Sequence, residues 1–578
     1  MEKNKTLRWL WNVTGKQKLN VLLLMILHGV YGGSGVLYAL LLRNIVDCAT
    51  NSDKSGFLRN VLLTILLVIS QISVYGWVYR LDELSRAGME NKFKARLFHS
   101  ILTRDFGAVS AVHSGEWLNR LTNDCQLVAA NTTEILPGMF GMVIRLLSAT
   151  VTLIVMDWRF GAVLLPVGLV VLLVTHFCRK PLKRLHKKIQ EADGRLRIFM
   201  QERLGSLMML RTFAAEQQTE ENVAGKMAEH KAARMKKNSF GVLCNVGFQG
   251  GMQGMYLLGV CYCGYCILQG RITFGTLTAV TQLITQIRAP FSNITGYLPK
   301  YYATLASAER LMEVESFEPD CLRETKQLDE VLECYRGGLN SFGLRHIDFT
   351  YYMATDTVAN QSKAEMPVVL KDISLEVRKG EYAAFTGQSG CGKSTVLKLL
   401  MCVYKPDTGE RYLKTGAGEE ILDAAWHRLF AYVPQGNQLM RGSIREIVAF
   451  ADPDAMNDDA RIRNALRIAC ADDFVYALEQ GPDTVLGERG TGLSEGQMQR
   501  IAVARAVFSE SPVLVLDEAT SALDEATERR LLDNLREMTD MTVLIVTHRP
   551  AALDICDRVF RFTPEGVTEQ RKGEQAPI

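Results

Sequence analysis

The segment Gly387-Gln388-Ser389-Gly390-Cys391-Gly392-Lys393-Ser394 follows the short apolar run Tyr382–Thr386 and precedes an apolar helical pattern. It fits the spacing G-x-x-x-x-G-K-[ST] between a strand and a helix. Gly387, Gly390 and Gly392 allow successive backbone N–H groups to curl around an anion without Cβ clashes. Lys393 can reach outer phosphates, the Ser394 hydroxyl can ligate Mg²⁺, and Thr395 continues into the helix whose N-terminus faces the anion. The chemistry these types imply is binding of a nucleotide's phosphates.

Two later strands carry matching chemistry. In "PVLVLDEAT", Val513 to Leu516 form an apolar run that reads as a buried parallel strand. Asp517 at its C-terminal end can hold Mg²⁺, and Glu518 beside it can orient or deprotonate an attacking water. In "TVLIVTHRP" a second such run, Val543–Val546, ends just before His548. A lone His is usually structural. At the end of a strand expected beside the other two, a γ-phosphate contact is the better reading. A fourth stretch, "LSEGQ" (Leu493–Gln497), opens a helical pattern. Ser494, Gly496 and Gln497 suit an anion-binding turn, whereas Glu495 places a carboxylate where such a site would want none.

These residues need a scaffold. A chain of 578 residues exceeds one ordinary domain, and its long apolar runs fill the first half. Six stretches are apolar enough to span a bilayer: Leu19–Leu42, Phe57–Val78, Leu136–Met156, Phe160–Cys178, Phe240–Leu268 and Phe274–Leu298. The last two are the least apolar, and an embedded hairpin is the alternative there. Basic residues crowd the N-terminus, the connection after the second span and the connection after the fourth. The positive-inside bias therefore places both termini and both long connections in the cytoplasm. Those connections have helical periodicity, so the spans are expected to continue as long amphipathic helices. They turn near Gly107–Trp117 and Arg211–Gln218.

Polar residues interrupt the spans. Asn245, Gln249, Gln253 and Tyr256 share one helical face, as do Gln282, Gln286 and Asn293 if the helix survives Pro290, and Arg145, Ser148 and Thr152. Such groups line a cavity or bond helix to helix, and Arg145 is too central to snorkel easily. Thirteen Cys show no framework spacing. Cys261 and Cys263 would point to different sides of a helix, so "CYCGYC" reads as small residues packed between helices rather than a metal motif. A net charge of +3 gives no global attraction to nucleic acid. No cleavable signal or transit pattern precedes the first span.

The order of the phosphate loop, "LSEGQ", "LVLDEATSALD" and "VTHR", behind six spans, resembles the ATP-binding cassette (ABC) transporters, exporter type. "TVLGERG" (Thr484–Gly490) is similar to a loop of exporter cassettes. The resemblance covers essentially the whole chain. It implies an α-helical six-span transmembrane domain (1–310), a linker (311–340) and an α/β P-loop ATPase domain (341–578) with an antiparallel β subdomain and a helical subdomain. It implies ATP and Mg²⁺ as ligands, and a multi-pass protein of a bacterial cytoplasmic membrane. Residue by residue, it gives Tyr351 as the aromatic on adenine, with Tyr352 beside it, and Gln435 as the glutamine touching Mg²⁺ and the attacking water. Glu518 would be the catalytic base and His548 the switch histidine. Ser494, Gly496 and Gln497 would bind the γ-phosphate of ATP held by the other subunit. Asp524 would link the two sites, and the turns near Ala108–His113 and Thr212–Glu216 would be coupling helices.

One membrane domain and one cassette make a half-transporter, which needs a second. A homodimer with two working sites is the reading adopted, and Glu495 leaves a heterodimer with one degenerate site as the alternative. The absence of an N-terminal peptidase-like extension argues against leader-peptide cleavage. The activity expected is ATP-driven export of an amphipathic small molecule, peptide or lipid, with Arg145, Asn245, Gln249, Gln253, Gln282 and Gln286 lining the cavity. An importer on the same scaffold, or a nucleotide-gated channel, are the competing classes.

Overall fold

The computed structural model describes residues 2–321, 323–353, 366–436, 438–487, 492–538, 540–563 and 566–571; at 2–4, 160–176, 178–180, 183, 289–295, 298 and 571 it describes the backbone. The chain divides into two compact bodies, residues 1–93 with 124–308, and residues 94–123 with 309–578.

The first body is helical: α1 (Glu2–Thr14), α2 (Gln17–Thr50), α3 (Lys54–Thr103), which runs on into the second body, then α6 (Cys125–Met156), α7 (Trp158–Gly205), α8 (Leu207–Thr212), α9 (Glu216–Leu268) and α10 (Phe274–Glu313). Six of these have 32 to 53 residues. At 1.5 Å per residue, α3 and α9 measure about 75 and 80 Å, against a hydrocarbon core of about 30 Å, so each reaches far beyond a bilayer. Among the described residues, α2, α3, α9 and the stretch Ser114–Met156 are long and apolar enough to cross a membrane. The expected span Phe160–Cys178 lies on α7 where all but one side chain falls outside the described residues. The expected span Phe274–Leu298 lies on α10, a single helix through Pro290.

Small residues let these helices meet. A Cβ on Gly32 would sit 2.6 Å from the carbonyl oxygen of Gly141, and one on Gly141 would sit 2.9 Å from that of His28, so α2 and α6 approach backbone to backbone. Their apolar faces merge with Met252, Met255 and Cys263 of α9 and Val280, Leu283, Ile284 and Ile287 of α10. Cys263 and Cys266 are buried and Cys261 is exposed. Ser148 and Thr152 donate to carbonyls of their own helix.

The second body begins with the end of α3 and the turn that follows it. Asp105 caps α4 (Phe106–Ser110), accepting from the N–H groups of Gly107 and Ala108. Next come α5 (Ser114–Asn119) and a π-turn (Arg120–Asp124). Trp117 donates to the Val109 carbonyl, and the fully buried Arg120 pairs with Glu116 and Glu313. Phe106 packs edge-on against Tyr404.

The remainder is built on two sheets. β1 (Leu339–Phe349), preceded by α11 (Leu328–Gly337), joins β2 (Leu370–Arg378), β4 (Thr408–Thr415) and β5 (Gly418–Ile421) in an antiparallel sheet ordered β2-β1-β4-β5. The six-stranded sheet is ordered β12-β11-β3-β10-β9-β6, from β3 (Tyr382–Gly387), β6 (Phe430–Val433), β9 (Val513–Asp517), β10 (Thr542–Val546), β11 (Arg558–Thr563) and β12 (Gly566–Arg571). Every residue of β9 and β10 is buried, the pattern of parallel strands covered on both faces. Helices α12 (Lys393–Leu400), α16 (Glu495–Phe508), α17 (Glu525–Arg536) and α18 (Pro550–Asp554) accompany them. A helical subdomain inserts α13 (Ile444–Val448), α14 (Asp459–Ile468) and α15 (Asp472–Tyr476) beside the small ribbon of β7 (Gly442–Ser443) and β8 (Val485–Leu486).

Candidate active site

Strands β3, β10, β9 and β6 are adjacent and parallel, so the loops leaving their C-terminal ends converge. Backbone bonds tie these ends together: Glu518 N–H donates to the Val546 carbonyl and Thr547 N–H to that of Phe385.

The loop after β3 uses its glycines conformationally. Gly387, Gly390 and Gly392 have φ of 136°, 84° and 93°, and a Cβ on Gly392 would meet Leu370 at 2.4 Å. Lys393 Nζ donates to the carbonyls of Gly387 (2.7 Å) and Gln388 (2.8 Å), folding the ammonium across the loop. Ser389 and Gly390 stand at the exposed crest, Cys391 is half-buried, and Thr395 accepts or donates a 2.7 Å bond with the Tyr351 hydroxyl. Tyr351 also meets Phe349 and Tyr404 edge-on. Asp105 of the turn after α3 lies beside Tyr352, and burial pushes the Tyr352 phenol up to about 12.

Ser394 Oγ donates to Asp517 Oδ1 at 3.0 Å. Gln435, past β6, donates to Glu518 Oε2 at 2.7 Å. Glu518 holds a left-handed backbone, φ 53°, unusual for a residue with a Cβ and a kind of strain that collects at functional sites. Hydroxyl, carboxylate and amide oxygens are hard donors that suit Mg²⁺. With a loop open at Gly390, where an added Cβ would meet nothing within 4 Å, the residues present fit a magnesium nucleotide. His548 is exposed on the turn after β10, between the phosphate loop and the Asp517 turn in sheet order.

The "LSEGQ" stretch is differently employed. Ser494 caps α16: its hydroxyl accepts from Gln497 N–H (3.3 Å), and Gln497 Oε1 accepts from Ser494 N–H (2.9 Å). Glu495 is exposed in the first turn, where the helix dipole favours an acid. Gly496 abuts the next loop, since a Cβ there would lie 2.9 Å from the Ala522 carbonyl oxygen. Among the described residues no bond joins Ser494 or Gln497 to the phosphate loop of the same chain. Asp524 caps α17 through Thr527 N–H, which holds its carboxyl below the usual range. The Glu488–Gly490 end of "TVLGERG" lies outside the described residues.

Several participants carry no motif signal. Tyr432 donates to Asp517 Oδ2 at 3.2 Å, and burial together with the Asp517 charge pushes its phenol upward, so it remains a donor. Buried Gln499 donates to Ser521 Oγ and accepts from Ala522 N–H. Arg549 donates to the carbonyls of Ser521 and Leu523 and to Glu528. Together they clamp residues 521–523 between α16 and the turn bearing His548.

Comparison with known proteins gives this arrangement a family. The model described as ABC transporter transmembrane region matches residues 19–291, and that described as ABC transporter matches residues 370–521. The chain belongs to the ABC transporters. It is therefore a nucleotide-binding ATPase coupled to transport and a multi-pass membrane protein. It is 29% identical to ABC transporter B family member 1 of Dictyostelium discoideum over 87% of its own length, but spans only 54%, about half, of that protein. It is 26% identical to the ATP-dependent lipid A-core flippase of Vibrio vulnificus, over 98% of this chain and 94% of that one. A solved bacterial Atm1-family ABC exporter with ATP bound matches in fold with a TM-score of 0.78, covering 96% and 95% of the two chains at 21% identity.

Proposed function

We propose that this ABC transporter exports an amphipathic small molecule, peptide or lipid by alternating access, working as a homodimer with two ATP sites. The observation that carries the reading is the convergence at the strand ends: Ser394 on Asp517, and Gln435 on Glu518. Magnesium would be held by Ser394, Gln435 and Asp517, where it neutralises charge on the transferring phosphate. Lys393 and the backbone from Gly387 through Gln388, Ser389, Gly390, Cys391 and Gly392 to Thr395 hold the phosphates, and Tyr351 stacks on adenine. Glu518 accepts the proton of the attacking water, positioned by Gln435, and His548 contacts the γ-phosphate. Ser494, Gly496 and Gln497 cap the nucleotide of the second copy, and Asp524 links the two sites.

The domain boundaries proposed are 1–310, 311–340 and 341–578, in keeping with the end of α10 at Glu313 and the start of β1 at Leu339. Both termini lie in the cytoplasm of a bacterial cell, a placement supported by the basic connections and by a Vibrio relative matched along its length. Asn245, Gln249, Gln253, Gln282 and Arg145 are proposed to line the substrate path. Gln286, also expected there, is 5% exposed and donates to the Gly35 carbonyl (2.5 Å), which also makes it a strut between α10 and α2.

The test is ATPase activity of the purified chain in lipid nanodiscs with candidate amphiphiles, beside ATP-driven uptake into inside-out vesicles. Stimulated hydrolysis with accumulation in the lumen supports export. Hydrolysis with depletion of the lumen makes it an importer, and hydrolysis that requires an unlike partner makes it half of a heterodimer.

A further inference from the structure

The six stretches expected to span the membrane contain no Asp or Glu, yet they contain Arg59, Arg145 and Arg288. Arg59 lies near the end of its stretch with Asp53 among its neighbours. Arg145 and Arg288 are central, and a cation inside a bilayer is expensive unless a counter-charge or water attends it.

Arg288 has built surroundings. One guanidinium nitrogen donates to Gln253 Oε1 at 3.5 Å and the other, in closer contact, to Gln249 Oε1. Gln249 and Gln253 lie one turn apart on α9, on the face they share with Asn245 and Tyr256, and both are exposed. From the turn joining α9 and α10, Gln253 lies fifteen residues back along α9 and Arg288 fourteen residues along α10. That depth is about 20 Å, well within a hydrocarbon core of about 30 Å.

Two glutamine carbonyls orient a guanidinium and satisfy part of its five donors, but neutral amides leave its charge in place. Holding α9 to α10 does not require the charge either, because Met252, Met255, Leu283, Ile284 and Ile287 already form an apolar seam, with Gly259 closing against Ile284. A fixed, half-exposed guanidinium presented on a polar face suits bidentate recognition of a phosphate, sulfate or carboxylate.

We infer that Arg288, steadied by Gln249 and Gln253, is the recognition point for an anionic headgroup, and that the transported compound is an anionic amphiphile. This rests on the transport reading above and narrows its substrate class.

The test uses the full-length chain in phosphatidylcholine nanodiscs, with three probes: dodecyl phosphate, dodecyltrimethylammonium and inorganic phosphate. Calorimetric binding and ATPase stimulation are both recorded against empty discs. Dodecyl phosphate is expected to bind at least ~10-fold more tightly than either other probe, the size of one charge-assisted contact. Arg288→Gln should weaken it by at least ~10-fold, while Arg288→Lys, which keeps the charge and controls for folding, should retain most of the affinity. Gln249→Ala with Gln253→Ala should give a smaller loss.

Equal or tighter binding of the ammonium probe, or unchanged affinity in Arg288→Gln, overturns the anion assignment while leaving transport standing. Inorganic phosphate binding as tightly as dodecyl phosphate overturns the amphiphile and makes the ligand a free anion. If no amphiphile of any charge binds or stimulates hydrolysis, the transport reading fails first.

Discussion

The two ends of the ATPase body are built on opposite plans. At the phosphate loop the functional side chains are tied to one another: Ser394 to Asp517, Gln435 to Glu518, Tyr351 to Thr395. At the start of α16, Ser494 and Gln497 are tied, among the described residues, into their own helix cap, and Ser494 and Glu495 are exposed. One end is assembled within the chain, whereas the other is a capped helix start. A candidate site assembled on one side and exposed on the other is what the proposed sharing between two copies requires.

The contrast can be broken first at Glu518. Removing a general base costs about 10²–10⁴ in rate. Glu518→Gln is therefore expected to abolish turnover while ATP still binds, leaving a nucleotide-bound dimer visible by size-exclusion chromatography. Near wild-type hydrolysis in that variant would remove the proton acceptor from the scheme.

Lys393→Ala should act next, at the binding step. Losing a charge-assisted phosphate contact weakens ATP at least ~10-fold, which equilibrium dialysis with labelled nucleotide would read. Gly496→Ala tests the opposite end. With its Cβ 2.9 Å from the Ala522 carbonyl, it must push residues 521–523 away, at a cost of about 1–3 kcal/mol. Thermal unfolding should show that loss, together with impaired hydrolysis at normal ATP affinity.

Tyr432→Phe removes a charge-assisted bond to the Asp517 carboxylate, worth about 1.5 kcal/mol, so the Mg²⁺ concentration for half-maximal ATPase should rise about ten-fold. Glu495→Gly should matter least. It sharpens the comparison because an exposed first-turn acid interacts favourably with the α16 dipole. Hydrolysis by the single purified chain should change by less than about three-fold, with stability slightly lower.

Much of this was legible in the sequence wherever chemistry and backbone geometry coincide. Glycines at the phosphate loop, continuous apolar runs in β9 and β10, and the acids Asp517 and Glu518 that close the first of them announce both strand and candidate site, and the sheet places β10, the strand before His548, between β3 and β9. Long helices were visible in periodicity that outran the apolar windows. What stayed hidden depends on distant partners. Tyr432 looks like any aromatic in a buried strand until Asp517 is set beside it. Gln499 and Arg549 act largely through backbone groups, which no residue pattern records. Arg288 carries no pattern of its own in the sequence, because its partners lie more than thirty residues earlier, on another helix. The turn after α3 clusters with the ATPase body, with Asp105 N–H donating to the Glu318 carbonyl and Arg120 pairing with Glu313, a grouping that chain order alone does not reveal.

The central claim is that each ATP site takes its phosphate loop from one copy and its Ser494 turn from the other. Co-expressing two differently tagged chains, one Lys393→Ala and one Ser494→Arg, and measuring ATPase after each purification step tests it most directly. Each variant alone should be inactive. A mixed dimer would contain one site with both intact halves, so random pairing should restore about a quarter of wild-type hydrolysis, and tandem-tag purification of mixed dimers about half. Mixed dimers as inactive as the parents would contradict the account.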